Sequence, residues 1–457
     1  MQWTEVSPGC YERSFDSLEQ FYRIIADAGA PLNKQHYLVS CTLRLKILPP
    51  VHEVQNAWKA LRKQYPQIAA MPDETGTRFR YTVPSSTELN AWVQETLVVD
   101  QGRSANDIYE KEQPSSLFLL FYLPQARELL FRMPHWRIDG IGLMYLQTAF
   151  LRILSNGPSE KFQFDGSEAK YLAPSLDQIA TVQLKTTAET SQAADEELGV
   201  FLRGLPSISI PTLPNVVPTT PRRIMSYFCE DTTQRIISTC KSRGLSVTAA
   251  IHSALVVATL PHAQHEFNSE TRGQGGGKYT GFNAIDLRKY LPVPYNGPEA
   301  AVSIYHTGIP VSIDLAVHKS FESIAAEFQY GYRRNLSKDE PRNIFNFLAE
   351  YINKVVELLN AQPPDPLRAP AHPELSSIGL INDHLQAKHE GSASTIEVEE
   401  WWIAMEGINR LLLTKVWTWS GRMCLSVNWN EAFYEDSFVV KFLGEWKQIV
   451  LKELDIN

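Results

Sequence analysis

The chain has 457 residues, 44% of them hydrophobic and 21% charged, with a formal net charge of −8. That length exceeds one ordinary core and predicts two domains, and the composition excludes a chain that is disordered throughout. The mild acidity argues against a nucleic-acid partner, which needs a basic face.

No basic stretch followed by an apolar run opens the sequence, so no secretory leader is expected. Apolar runs such as Leu117–Leu123 and Ala254–Leu260 fall well short of the roughly 20 residues needed to span a bilayer. The five cysteines (Cys10, Cys41, Cys229, Cys240, Cys424) are scattered and form no C-x-x-C pair. A disulfide scaffold and a thiolate metal site are therefore not expected, and a cytoplasmic protein without a membrane partner is.

Taken in chain order, Phe15–Ala28 reads as a helix, with Leu18, Phe21, Tyr22 and Ile25 at helical spacing and Ser17 with Gln20 as a capping box. Tyr37–Lys46 alternates in the manner of a half-buried strand. Val51–Tyr65 is a second helix with Val54, Trp58, Leu61 and Tyr65 on one stripe. Leu117–Leu123 and Leu129–Met133 read as adjacent strands buried on both faces, interrupted by Arg132. After Gly140, the stripe Leu143, Leu146, Phe150 and Leu154 marks a helix that stops at Asn156-Gly157-Pro158.

From Thr186 to Pro221 a polar stretch gives way to five prolines, which predicts a crossover at 186–221 between domains 1–185 and 222–457. The second half restarts with a strand over Arg223–Phe228, then helices over Thr233–Arg243 and Val247–Leu260, the latter capped by Ser246. Strands follow over Thr280–Ile285, Trp417–Trp419 and Met423–Trp429. A closing helix spans Ser437–Leu454, with Val439, Phe442, Leu443, Trp446 and Val450 on one face. The fold class is α/β (α+β), with strands and helices mixed in both halves.

The chemistry concentrates at His135-x-x-x-Asp139-Gly140, where an apolar strand ends and an amphipathic helix begins. An imidazole held at such a corner suits a general base acting on a hydroxyl or amine, since its ordinary pKa of about 6.5 leaves it mostly neutral near pH 7. Acyl transfer from a thioester needs little more than that base and a donor for the oxyanion. Asp139 admits two readings. It orients the imidazole as in a triad, or it turns away to cap the helix and pair with a distant arginine, which its position before a helix favours. Gly140 lets the backbone approach a ligand where a helix N-terminus welcomes negative charge.

The motif resembles the active-site motif shared by BAHD acyltransferases, chloramphenicol acetyltransferase and the condensation domains of nonribosomal peptide synthetases. Gly9-Cys10-Tyr11-Glu12-Arg13, Gly244-Leu245-Ser246, Asp286-Leu287-Arg288, Ser376-Ser377-Ile378-Gly379, Trp417-Thr418-Trp419-Ser420-Gly421-Arg422 and Asn430-Glu431-Ala432-Phe433-Tyr434 extend the likeness in order along the chain. Together they resemble the fungal trichothecene 15-O-acetyltransferase branch. The resemblance implies two chloramphenicol-acetyltransferase-like lobes, each a mixed sheet with flanking helices, and a tunnel between them with His135 at its middle. It also implies that Asp139 pairs with Arg288 from the second lobe. Pro134 stands where condensation domains carry a second histidine, and the Asp-Phe-Gly-Trp-Gly segment of plant enzymes is absent.

Ser377, His306 and Trp419 are further candidates for positioning a ligand. Their plainer readings are a turn cap, an edge-strand residue and core packing. Gly273-x-Gly275-Gly276-Gly277-Lys278 does not fit a phosphate-binding loop and reads as a surface loop near which Lys278 meets a phosphate at most. His262 and His265 lack a third ligand, and no H-E-x-x-H or G-x-S-x-G occurs, so no metal is expected.

The reading that results is a monomeric O-acyltransferase using acyl-CoA, foremost acetyl-CoA, as cosubstrate on a hydroxylated small secondary metabolite, with no tightly bound cofactor. Catalysis falls to His135 and Gly140, and maintenance of the site to Asp139 and Arg288. The alternatives are a condensation-type enzyme taking its acyl group from a carrier protein to form an ester or amide, and a non-catalytic or cyclase-like binder on the same fold.

Overall fold

The computed structural model describes residues 2–159, 161–263, 277–318, 320–334, 336, 343–361 and 369–456. The glycines at 273–276 and His265 lie outside them. The chain divides into two compact units: Met1–Leu184 with Asp286–His306 and Ile381–Met405, and Lys185–Ile285 with Thr307–Leu380 and Glu406–Asn457.

The first unit is built on a six-stranded sheet in the order Lys388–Glu390, Thr395–Met405, Leu38–Leu45, Glu128–Pro134, Leu119–Leu123, Leu97–Val99. Only the last pairing is parallel. The two strands read from their apolar runs pair as an antiparallel hairpin through Pro124–Arg127, with Leu120 opposite Phe131. Arg132, the charged residue within the second run, donates to the Glu112 and Gln113 carbonyls, so its burial leaves no bare charge against apolar atoms.

The helices Val51–Gln64 and Gly140–Asn156 cover this sheet through Trp58, whose ring lies 6.2 Å from Phe131 and 6.3 Å from Phe150. The first helix runs Ser17–Asp27 and is capped one residue earlier than the pattern predicts: Asp16 and Glu19, not Ser17 and Gln20, form the box. Glu19 is fixed there by a buried bidentate pair with Arg13 at 2.8 and 2.7 Å, a contact that local sequence does not reveal.

The second unit carries a four-stranded sheet, Pro373–Leu380, Leu412–Trp419, Arg422–Asn430 and Pro221–Tyr227, and a two-stranded pair of Lys278–Asp286 with His306–Asp314. Met423, Leu425, Val427 and Trp429, alternating along one strand, share a core with Ile251, Leu255, Phe442 and Trp446. The helix Val247–Thr259 is capped by Ser246, as its sequence predicts.

Two boundaries differ from the sequence reading. The crossover at 186–221 is no plain linker: Ala188–Leu202 is helical, capped by Thr187, and Pro221 already begins a strand. Residues 286–306 and 381–405, expected within the C-terminal domain, belong to the first unit. The physical reason is burial: Thr395–Met405 supplies a strand to the six-stranded sheet beside Leu38–Leu45, and 286–306 brings Arg288 and Tyr305 against Asp139.

Candidate active site

His135 opens a single turn of 3₁₀-helix, His135–Arg137, between the strand Glu128–Pro134 and the helix Gly140–Asn156. The residues around it pin that turn from both sides. Trp136 is sunk in an aromatic cluster with Phe15 and Phe79. Buried Arg137 donates to the carbonyls of Gln67, Ile68, Ala70 and Ser116. The His135 N–H donates to the Tyr37 carbonyl at 3.2 Å. Tyr37 sits at φ 57°, a left-handed conformation costly for a residue with a Cβ and of a kind that clusters at working sites.

The His135 ring is half-buried. Nδ1 is its buried nitrogen, which leaves Nε2 toward the accessible side. Burial first, and then the neighbouring His306, hold this imidazole down to about 4, so it is neutral near pH 7.

Asp139 takes the second of its two readings. Its Oδ1 caps the helix by accepting from the Gly142 N–H at 2.7 Å, and Oδ2 accepts from Arg288 Nη1 at 2.9 Å and the Tyr305 N–H at 2.7 Å. Arg288 in turn donates to Asp286 and to the Ser303 hydroxyl. Burial alone would raise the Asp139 carboxyl, but the Arg288 charge and His306 outweigh it and keep it ionised well below the ordinary carboxylate range. The acid of the motif therefore serves the helix and the arginine, and His135 is not among its hydrogen-bond partners.

His306 comes into this site from 171 positions along the chain (306 minus 135). Its ring lies 5.3 Å from that of His135, and its Nδ1 is 4.0 Å from Asp139 Oδ2. Tyr22 completes the group. Its ring is stacked on His135 at 4.5 Å and 8°, and its hydroxyl lies 2.7 Å from His306 Nε2. The sequence pattern placed Tyr22 on an apolar helix stripe, and no local signal marks its hydroxyl as functional.

Gly140 begins the helix with room beside it, since a Cβ there would meet only Ile403 Cδ1 at 4.0 Å. At Gly142 the protein's own backbone comes close, since a Cβ there would lie 2.0 Å from the Ala301 carbonyl oxygen. Ser377 and Trp419 lie in the second unit. The Ser377 hydroxyl bonds that of Thr248 at 2.8 Å, and Trp419 is buried on its strand. Lys278 donates to the Arg203 carbonyl, and His262 pairs with Glu445.

No family model matches the chain. It is 29% identical over 470 residues to the acetyltransferase pigO of Monascus ruber, covering 100% of this chain and 99% of that protein. It is 27% identical over 469 residues to the O-acetyltransferase pigM of the same organism, covering 100% of this chain and 88% of that protein. Among solved structures, the trichothecene 15-O-acetyltransferase TRI3 from Fusarium sporotrichioides superposes with a TM-score of 0.81 at 18% identity, over 99% of this chain and 98% of that one. The chain thus has the two-lobed acyltransferase and condensation-domain fold of the chloramphenicol acetyltransferase type.

Proposed function

We propose that the protein is an O-acyltransferase that moves an acyl group, acetyl foremost, from acyl-CoA to a hydroxyl of a small secondary metabolite, with His135 as general base. The observation that carries this reading is a neutral, part-accessible imidazole fixed at the strand–helix corner while Asp139 is committed elsewhere. The similarity to two fungal acetyltransferases over the whole chain supports it.

In this mechanism His135 Nε2 accepts the acceptor's hydroxyl proton as that oxygen attacks the thioester carbonyl. The N–H bond forms as the O–H bond breaks, and no acyl-enzyme is needed. The first turn of the helix already commits the Gly142 and Leu143 N–H groups to Asp139. Those of Gly140 and Ile141 remain for the oxyanion at the positive end of the helix. Collapse of the tetrahedral intermediate breaks the C–S bond, and the departing thiolate takes the proton back from His135. Acyl-CoA acts as cosubstrate and leaves each turnover as free thiol, so it is not a resident group. Cytoplasmic placement and a monomeric state belong to the same proposal; among the described residues no single helix is long and apolar enough to cross a membrane.

The test is mass spectrometry of a metabolite extract incubated with the protein and acetyl-CoA, alongside free-thiol release. A mass gain of one acetyl unit is expected, and His135→Ala is expected to lose about 10²–10⁴-fold in rate. Near-normal turnover by that variant would remove His135 from the mechanism. Product only from an acylated carrier protein would reassign the donor, and absence of thiol with every acyl-CoA would make the protein a binder.

A further inference from the structure

Tyr22, His306 and Asp139 form a connected group that the mechanism above does not use. The Asp139 carboxylate faces His306 Nδ1 at 4.0 Å, and His306 Nε2 lies 2.7 Å from the Tyr22 hydroxyl. At 4.0 Å the carboxylate makes no hydrogen bond to Nδ1, which has no other partner among the described residues. Its charge still favours the tautomer protonated there, in which Nε2 accepts from the Tyr22 hydroxyl. This fixes the tilt of the Tyr22 ring. That ring lies flat on His135, 4.5 Å away and 8° from parallel, a face-on stack in which the electron-rich face of the phenol covers the imidazole.

The stack does little for a neutral imidazole. Once His135 takes the acceptor's proton it becomes a cation over an aromatic face, an attraction that grows where water is excluded. The interaction is therefore stronger in the protonated, transition-state form than in the resting form, which is the condition for it to raise kcat. A phenol that donates its proton to His306 also has a richer ring than one that does not.

We infer that Tyr22 is a positioning residue that holds His135 face-on and stabilises its protonated form during transfer, and that His306, oriented by Asp139, keeps Tyr22 in that pose. This rests on His135 being the base. The charged and titratable groups that face His135 are Tyr22 from the first helix, Tyr37 from the segment before its neighbouring strand, His306, and Asp139 with Arg288 behind it.

The experiment uses the full-length protein with its competent acyl donor and acceptor. Tyr22→Leu is expected to lower kcat about 10-fold with KM for both substrates unchanged, while Tyr22→Phe, which keeps the ring, recovers most of that loss. The His135 imidazole, followed by NMR titration of its Cε1 proton, is expected to protonate at lower pH in Tyr22→Leu than in the parent, whereas packing damage that lets water reach the buried ring would move it to higher pH. Tyr22→Phe and His306→Phe are expected to cost about twofold each, and the double variant no more than the larger single, because both break one bond. Unchanged kcat and an unmoved titration in Tyr22→Leu would overturn the inference, and so would losses that multiply in the double variant. Should Tyr22→Leu fail to fold, the Tyr22→Phe and His306→Phe cycle decides alone. His135→Ala separates the two readings. If it is inactive while Tyr22→Leu is normal, only this inference falls; if it is active, the assignment of the base falls first.

Discussion

At the residue scale, two glycines of one helix turn have different physical duties. A Cβ on Gly142 would sit 2.0 Å from a backbone oxygen and 3.2 Å from Arg288 Nη2, neither of which can swing aside. Gly142→Ala is expected to cost at least about 1–3 kcal/mol of stability, read by denaturant melts. At Gly140 the space is open, so Gly140→Ala is expected to leave stability unchanged or raise it by up to about 1 kcal/mol. Destabilisation there would show an unseen crowding. The pH behaviour of His135 is a second residue-scale prediction. Its folded pKa is pushed down to about 4, so the base stays neutral as pH falls through 6.5. With kcat/KM reporting the free enzyme, a flat profile is expected from pH 7.5 to 5.5. A limb centred at 6.5 would mean that the ring titrates as if exposed.

At the scale of elements, the Asp139–Arg288 pair links a helix cap to the segment 286–306. Both side chains are buried, at 4% and 3% exposure, so removing one partner strands the other. Arg288→Met is expected to destabilise by about 3–5 kcal/mol. The double Asp139→Asn, Arg288→Met variant should be less destabilised than the sum of its singles, and additivity would show that the pair is not coupled. Trp58 is the comparable anchor in the sheet-covering layer. It was legible in advance, because its stripe with Val54 and Leu61 has helical period and all three are buried. The long strand Thr395–Met405 was not legible. It pairs with Leu38–Leu45, some 350 positions away in the sequence, and the alternation of its start, Ile396 and Val398 buried, gives way to the unbroken apolar run WWIAM, so no single period covers it.

At the scale of the whole molecule, buried histidines weaken the fold in acid. Burial pushes His36 and His252 down to about 3, and burial with His306 holds His135 at about 4. In the unfolded chain each returns to about 6.5. Folded values below unfolded ones mean that stability is intact above pH 6.5. It is lost as pH falls from 6.5 toward 3–4, where the unfolded chain takes up protons that the folded one refuses. The depressed Asp139 carboxyl acts in the same direction at still lower pH. The melting temperature is therefore expected to fall steadily between pH 6.5 and 4, and a flat curve would contradict the burial of these rings.

Local order along the chain was enough to place the helices with strong stripes, the two strands of the 119–134 hairpin and the corner that carries His135, because periodicity and capping act within a few residues. The order of several weak motifs was enough to indicate the fold. What the sequence left open was which side chains meet. Asp139 had two admissible roles, and its partner Arg288 lies 149 positions away. Tyr22 looked like one more apolar stripe residue until its hydroxyl met His306, 284 positions away. That Gly142 has no room for a Cβ follows only from the Ala301 backbone beside it. Contacts of that range depend on how packed elements bring distant segments together. A period of two or 3.6 residues carries no record of them.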